Sequence, residues 1–220
     1  MASIKKIVIV DYGLGNLFSV NQALINTGLN TLITNDPLEV ETADALVLPG
    51  VGAFTDAMQN LHQLNLVNPI KDLVASGKPF LGICLGLQLL FTESEEFGTC
   101  EGLNIIEGKV RKFRSADTPG AEQLKVPQIA WNSISKPENK SWDNTPLQNI
   151  RDGEFLYFVH SYYVIPDNQD VILTNTTYGI TTYASSVCKN NIFACQFHPE
   201  KSAREGLKIY KDWAIINNLL

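Results

Sequence analysis

The sequence predicts a three-layer α/β fold, with a mostly parallel central sheet, helices on both of its faces and an additional antiparallel or mixed sheet. Short apolar runs such as Ile7–Val10 alternate with helical patterns through the first half of the chain. No polar residue interrupts these runs, as is typical of strands buried on both faces. After Gly102, strand-like segments and turn residues replace the helical periodicity. Because 220 residues is a common size for such a fold, we expect a single domain over residues 1–220.

The first half of the chain supplies the parallel part of the predicted sheet. Strands are predicted at residues 7–10, 29–34, 45–48 and 80–83. One helix is predicted to begin near Leu17, a second to run from Phe54 to Leu73 with a break before Pro69, and a third from Leu85 to Phe91. Strands that alternate with helices form βαβ units, which bring the carboxyl ends of the strands to one edge of the sheet.

The second half supplies the antiparallel part. Strands are predicted at residues 109–113, 129–134, 155–164, 171–177 and 192–197. The polar stretch Ser135–Asp152 contains two prolines and is predicted to be a surface loop. Apolar residues at helical spacing predict a final helix over Ala203–Ile216.

Composition and charge exclude several classes of protein. The formal net charge is −6, and no Lys/Arg cluster breaks the acidic balance, which argues against nucleic acid or a membrane surface as partner. The four cysteines show no paired spacing and no export signal is recognisable, so we expect free thiols and a cytoplasmic location. Three scattered histidines give no metal-ligand spacing, and we expect no metal and no cofactor.

The strongest local signal is the cysteine in Gly82-Ile83-Cys84-Leu85-Gly86, at the predicted end of a strand and start of a helix. Glycines two residues to either side allow a tight turn that presents the thiol at the carboxyl edge of the sheet. The helix N-terminus favours thiolate over thiol, and the Leu85 N–H can donate to an oxyanion. A buried structural cysteine between packing glycines is the competing interpretation.

A second motif, Phe197-His198-Pro199-Glu200, follows another predicted strand. Pro199 favours an extended His198, and residues i and i+2 of an extended chain project to the same side. Glu200 can therefore orient the imidazole and stabilise its protonated form. With Cys84, these residues form the arrangement that activates a thiol for acyl transfer.

The third motif is Pro49-Gly50-Val51-Gly52, again after a predicted strand. Glycines there let the backbone approach a bound group and present N–H donors. We therefore predict that Val51 or Gly52 completes an oxyanion hole with Leu85. An ordinary glycine-rich turn would explain the motif equally well on its own.

Together, Gly82-Ile-Cys-Leu-Gly-Leu-Gln88 and Gln196-Phe-His-Pro-Glu200 resemble the motifs of the class I glutamine amidotransferases, in that family's order. The resemblance implies a flavodoxin-like sheet and hydrolysis of L-glutamine to glutamate and ammonia through a cysteinyl thioester. Asp11–Asn16, Pro49–Phe54 and Tyr157–Tyr162 resemble the branch of glutaminase subunits that serve imidazole glycerol phosphate synthase. Leu87, where many relatives with other partners carry histidine, fits this branch.

The resemblance also implies roles that the residues alone do not. It implies a heterodimer with a cyclase subunit, a β/α barrel that uses the ammonia to make imidazole glycerol phosphate and AICAR in histidine biosynthesis. The substrate pocket would include Gly50, Gln88, Glu96, His160, Ser161 and Tyr162. The partner interface would include Asn16, Trp131, Tyr157 and Lys201. For Trp131 and Tyr157, packing in the core is the competing interpretation.

Some alternatives stay open on sequence alone. The chain could be the glutaminase of a sister branch serving vitamin B6, anthranilate or nucleotide synthesis. It could be a γ-glutamyl or cysteine hydrolase on the same scaffold, or a module that kept the fold without the activity. Gln128-Ile129-Ala130 departs from the His-Met-Gly that is more usual in the resembled family, which leaves the contacts around Gln128 undefined.

Overall fold

The computed structural model describes residues 4–114 and 124–220. Its strands are β1 Ile7–Val10, β2 Thr31–Thr34, β3 Ala45–Gly50, β4 Phe80–Cys84, β5 Phe91–Ser94, β6 Cys100–Glu101, β7 Ile106–Lys112, β8 Gln128–Ser133, β9 Phe155–His160, β10 Tyr162–Pro166, β11 Ile172–Tyr178, β12 Thr181–Lys189 and β13 Ile192–Cys195. Its helices are α1 Leu17–Asn26, α2 Pro37–Glu41, α3 Phe54–Gln63, α4 Val67–Ala75, α5 Leu85–Leu89 and α6 Ala203–Ile216.

The predicted parallel half is confirmed. Five strands lie in the order β2-β1-β3-β4-β13, all parallel to their neighbours. The register places Gly50 opposite Cys84 across β3 and β4, and Cys195 opposite Ile83 across β13 and β4. The carboxyl ends of β3, β4 and β13 are therefore adjacent. In an open α/β sheet this edge is where ligands bind.

Most of the antiparallel half extends the central sheet and does not form a second layer on it. Antiparallel pairings through β12, β10 and β7 continue the central sheet beyond β13, and β11 pairs with β12. Within the part of the chain that the structure describes, only β8 and β9 form a separate sheet, which has two antiparallel strands. The predicted additional sheet is thus present but small.

Several predicted boundaries were wrong. The predicted strand 155–164 is split at Ser161 into β9 and β10, which belong to different sheets. The long helix after Phe54 is broken at residues 64–66, where Asn65 has a positive φ of 55°, whereas Pro69 lies inside α4. The helix from Leu85 ends at Leu89, because Phe91 already begins β5. The helix α2 and the strand β12 were not predicted.

The alternation of side chains along β1 shows how the layers form. Val8 and Val10 face the cluster that contains α2, α3, α4 and α5, whereas Ile7 and Ile9 face the cluster that contains α1 and α6. All four side chains are fully buried. Helices therefore cover both faces of the sheet, as predicted from its unbroken apolar strands.

The segment Ser135–Asp152 is a loop, but it is more than a surface connection. Trp142 and Leu147 are buried in the same cluster as α1 and α6. The indole N–H of Trp142 donates to the carbonyl of Leu173 at 2.9 Å. The loop thus covers apolar side chains that would otherwise be exposed. Within residues 4–114 and 124–220, no helix combines the length and apolarity needed to cross a membrane.

Candidate active site

Cys84 lies at the junction of β4 and α5 with φ 55° and ψ −105°, a conformation that non-glycine residues rarely adopt. The flanking glycines permit this turn for steric reasons. A Cβ on Gly86 would overlap the carbonyl oxygen of Leu48, and one on Gly82 would lie 2.9 Å from the Cβ of Ala194. The strained backbone projects the thiol toward the cavity beyond the strand end, as expected for a nucleophile.

His198 is held in place through both its backbone and its imidazole ring. Its backbone N–H donates to the carbonyl of Tyr157 at 2.9 Å, which ties the end of β13 to β9. Its Nδ1 lies 2.8 Å from Glu200 Oε1, and both side chains are almost fully buried. Tyr210 donates its hydroxyl to the other carboxylate oxygen at 3.2 Å. The predicted His–Glu pair is therefore present and buried.

The local conformation behind this pair differs from the predicted one. His198 is extended, with φ −105° and ψ 97°, but Pro199–Lys201 forms one turn of 3-10 helix. Glu200 thus reaches the imidazole from a turn and not from a continuing extended chain. Proline accounts for both halves of this geometry, because it favours extension before it and fixes its own φ at a helical value.

Charge governs the protonation of His198. Burial alone would lower the pKa of the imidazole, but the thiolate of Cys84 and the carboxylate of Glu200 outweigh burial and raise the pKa to about 10. The Nε2 atom of His198 is buried and forms no hydrogen bond to the described residues. This atom is therefore available to exchange a proton with the sulfur of Cys84 or with a bound substrate.

A cavity of about 240 Å³ opens directly over Cys84. It brings together nearly all the residues predicted for the oxyanion hole and the substrate pocket. Pro127 and Val159 line it as well, although sequence reasoning did not single them out. The lining residues are Val51, Gly52, Cys84, Leu85, Gln88, Glu96, Pro127, Val159, His160, Ser161 and Tyr162.

Gly50 was predicted to contribute to the substrate pocket, but it is not among the residues that line the cavity. It is buried below the cavity, where a Cβ would overlap the hydroxyl of Tyr12, which itself donates to the carbonyl of Pro49 at 2.8 Å. Gly50 is required for close packing under the turn and does not line the pocket.

The polar groups of the cavity wall are held by hydrogen bonds. Glu96 Oε2 accepts from the Phe54 N–H at 2.6 Å. That bond lowers the pKa of the carboxyl, but burial has the larger effect and raises it. His160 is neutral, because burial lowers its pKa to about 4. Its Nδ1 therefore donates to the carbonyl of Tyr162 at 2.8 Å, while its Nε2 lies 3.1 Å from the hydroxyl of Tyr183.

Three of the four predicted interface residues, Trp131, Tyr157 and Lys201, lie together. Trp131 is half-exposed and its ring meets that of Tyr157 edge-on at 6.1 Å, so core packing was the wrong interpretation for Trp131. Lys201 lies over the ring of Tyr157 at 5.6 Å. Asn16 is the N-cap of α1, which lies next to the turn Pro199–Lys201.

One residue of the site escaped sequence reasoning altogether. Gln196 is fully buried, and its Nε2 lies 3.5 Å from Cys84 Sγ. Its signal was its position beside Phe197 and His198, which served only as part of a motif. Among the described residues, no group of three or more His, Cys, Asp or Glu side chains is placed to hold a metal ion.

A doubly wound sheet that brings a cysteine, a histidine and a glutamate together at its carboxyl edge defines a class of enzymes that act on amides through a thiol. In agreement, the family model described as "Glutamine amidotransferase class-I" matches residues 8–216. The chain therefore belongs to the class I glutamine amidotransferases.

Within that family, the chain is similar to proteins named "Imidazole glycerol phosphate synthase subunit HisH". The relative from Syntrophotalea carbinolica is 50% identical over 94% of this chain and 98% of its own length. Those from Geobacter sulfurreducens and Aquifex aeolicus are each 46% identical over 94% of this chain, covering 97% and 94% of their own lengths.

Solved structures agree on the fold at lower identity. The structure of PurLQS from Thermotoga maritima has a TM-score of 0.69 at 17% identity, covering 97% of this chain and 99% of that one. The glutaminase domain of Trypanosoma brucei CTPS with bound acivicin has a TM-score of 0.65 at 15% identity, covering 97% of this chain and 94% of that one.

Proposed function

We propose that this chain is the glutaminase subunit of an imidazole glycerol phosphate synthase, and that it hydrolyses L-glutamine to glutamate and ammonia for histidine biosynthesis. The observation that carries the proposal is the placement of Cys84 in the wall of a cavity, with the buried His198–Glu200 pair beside it. The full-length similarity to HisH subunits supports the choice of pathway.

The first half of the reaction forms a thioester. The thiolate of Cys84 adds to the side-chain amide carbon of glutamine, forming a C–S bond and leaving the negative charge on the former carbonyl oxygen. When this intermediate collapses, the C–N bond breaks and the His198 imidazolium gives its proton to the departing nitrogen, which leaves as ammonia. Glu200 holds the imidazole in orientation and stabilises its charge throughout.

The negative charge of the intermediate needs N–H donors at the cavity wall. Leu85 follows Cys84 at the start of α5, and Val51 and Gly52 lie on the opposite wall at the end of β3. We assign the oxyanion hole to the Leu85 N–H together with a donor from Val51 or Gly52. The positive φ of 117° at Gly52 requires glycine and sets the course of this segment.

The second half of the reaction releases glutamate. Water adds to the thioester carbon, its proton passes to His198, and the C–S bond breaks to restore the Cys84 thiolate. Glu96 and Gln88, with the backbone of residues 160–162, line the far side of the cavity, where the amino-acid end of glutamine would lie. The Glu96 carboxylate is suited to the ammonium group of the substrate.

The ammonia would pass to a partner. Protonation in water removes the lone pair that makes ammonia a nucleophile, so a sheltered path to a second active site is an advantage. We propose a cytoplasmic heterodimer in which a β/α-barrel cyclase covers the surface formed by Asn16, Trp131, Tyr157 and Lys201. The half-exposed indole of Trp131 supports a docking role for this surface.

Glutamate release, measured with and without the cyclase subunit and its ligand, tests the proposal. We expect activity in the complex, more than the isolated chain supports, and its loss in Cys84→Ala. Full activity of the isolated chain with no increase on adding the cyclase would contradict the partner assignment. Failure to restore growth of a histidine auxotroph lacking this subunit would instead favour a sister branch.

A further inference from the structure

Gln196 is the only buried side chain outside the Cys84–His198–Glu200 trio, among the described residues, whose amide donates to the Cys84 sulfur. It lies one residue past β13, and its backbone N–H donates to the carbonyl of Ser185 at 2.8 Å. We infer that Gln196 is a thiolate-stabilising residue, held in its donating orientation by Gln88. This inference rests on the proposed role of Cys84 as nucleophile.

The orientation of the two amides follows from one backbone carbonyl. Gln88 Nε2 lies 2.9 Å from the carbonyl oxygen of Tyr162, which can only accept, so the NH₂ end of Gln88 must point there. The same nitrogen lies 3.0 Å from Gln196 Oε1. Gln196 therefore presents its oxygen to Gln88 and its own NH₂ group to Cys84.

This orientation matters because, besides His198, the sulfur has an acceptor and a donor beside it with opposite effects. The carbonyl of Val159 lies 3.8 Å from Sγ and can accept from a thiol S–H, which favours the neutral form. The N–H of Gln196, at 3.5 Å, favours the thiolate. A donor locked in place by Gln88 and Tyr162 costs no reorganisation when the thiolate forms.

Other ionisable groups near Cys84 do not replace this donor. His198 carries the positive charge. If ionised, Tyr12, Tyr183 and Cys195 would also interact electrostatically with Cys84. Burial raises the pKa values of both tyrosines and of Cys195 above their ordinary range, so all three are neutral at physiological pH. Among these four groups only His198 is charged beside Cys84, and Gln196 adds a fixed dipole to that pair.

The same bonds connect the nucleophile to the substrate pocket. Both N–H groups of Gln88 are used, one on Tyr162 and one on Gln196, and Gln88 also lines the cavity. Its Oε1 forms no hydrogen bond to the described residues and is the atom left for a substrate ammonium group. A bound substrate would hold Gln88, and through it Gln196, in the donating orientation.

The test measures how fast iodoacetamide alkylates Cys84 as a function of pH, with the labelled residue identified by peptide mass. Gln196→Met keeps the side-chain length but removes the donor. We expect its alkylation profile to shift upward by about one pH unit, since a hydrogen bond to a charged group is lost. The matched control is Gln128→Met, which removes another fully buried glutamine whose Oε1 contacts Tyr183 and not Cys84.

Two further readouts complete the test. Gln196→Glu should shift the profile further upward than Gln196→Met, because a carboxylate beside the sulfur opposes the thiolate. In the complex with the cyclase, Gln196→Met should lower kcat more than it raises KM. If loss of packing alone were the cause, Gln196→Met and the control Gln128→Met would change kcat and KM to a similar extent. An unchanged alkylation profile in folded Gln196→Met would overturn the inference. Because alkylation needs no glutamine, that outcome is distinct from an absence of glutaminase activity, which would overturn the proposed function.

Discussion

His160 shows how a single buried side chain links the cavity wall to pH. Its two nitrogens are engaged by the carbonyl of Tyr162 and the hydroxyl of Tyr183, and neither partner is charged. Burial lowers the pKa of the imidazole to about 4, although the bond to Tyr162 acts in the opposite direction. The native protein therefore keeps His160 neutral under conditions in which an unfolded chain would protonate it.

We expect the free energy of unfolding to fall as the pH decreases from about 6.5 to 4. In that window the unfolded state binds a proton at His160 and the native state does not. This difference lowers the free energy of unfolding by up to about 3 kcal/mol. His198 adds no slope there, because its raised pKa keeps it protonated in the native state across the whole window and its contribution is lost only as the pH rises toward 10.

Urea unfolding at several pH values checks this expectation. His160→Gln should be less stable than the wild type at pH 7 but show a flatter decline toward pH 4. Some carboxylates have a pKa lowered by hydrogen bonds and ion pairs, such as Asp44, which accepts from the Lys6 N–H and pairs with Lys5; they lose their contribution near the acid end in both proteins and cancel in the comparison. Parallel curves for the two proteins would contradict the assignment of the slope to His160.

The turn from β4 to α5 is the element on which the site depends. Its glycines are required because neighbouring backbone is too close for a side chain, and they let Cys84 adopt its positive φ. The close approach of Gly86 to the carbonyl of Leu48 packs α5 directly onto β3. The helix is therefore held against the strand whose end carries Val51 and Gly52.

We expect Gly86→Ala to lower the free energy of unfolding by roughly 3 kcal/mol or more, because its Cβ would overlap backbone atoms that cannot move independently. Chemical denaturation measures the loss. Gly77→Ala is the control: it has open space around it but a φ of +81°, so it should cost only about 1 kcal/mol. Equal costs for the two variants would contradict the overlap at Gly86, because only Gly77 has a positive φ.

The small β8–β9 sheet carries part of the proposed docking surface on one face. Along these strands Ile129, Trp131 and Phe155 are exposed, and the paired register places Trp131 opposite Tyr157. Exposed apolar side chains grouped on one face are typical of protein interfaces. Since the backbone carbonyl of Tyr157 accepts from the His198 N–H, a partner on this surface would lie within one residue of the proposed base, His198.

Two tryptophans allow docking to be separated from folding. We expect Trp131→Ala to weaken binding of the cyclase subunit by roughly 2 kcal/mol, because it removes a large anchor that only the complex would bury. Titration calorimetry measures that loss. The buried Trp142, at 3% exposure, should behave in the opposite way, with Trp142→Ala costing roughly 3–5 kcal/mol of unfolding free energy. Unchanged binding by Trp131→Ala would remove this surface from the interface.

The parts of the molecule that sequence could predict are those in which one local cause dominates. Unbroken apolar runs identified β1, β3 and β4, and glycine spacing identified the turn at Cys84. The strand β12 was missed because its buried Ser185 and Ser186 carry no apolar signal and are satisfied by Thr174 on β11. Gln196 was missed for a similar reason, since its hydrogen-bond partners, Gln88 and Cys84, lie far away in the sequence.

The adjacency of β3, β4 and β13 has a consequence for protein engineering. The three turns that leave these strands carry the donors at Val51 and Gly52, the nucleophile, and the Gln196–Glu200 segment. The proposed chemistry of bond cleavage is therefore encoded in three neighbouring parallel strands, while most of the proposed substrate contacts, apart from Gln88 on α5, come from other elements. A designer could graft those three turns as a unit onto another doubly wound scaffold and choose the specificity wall separately.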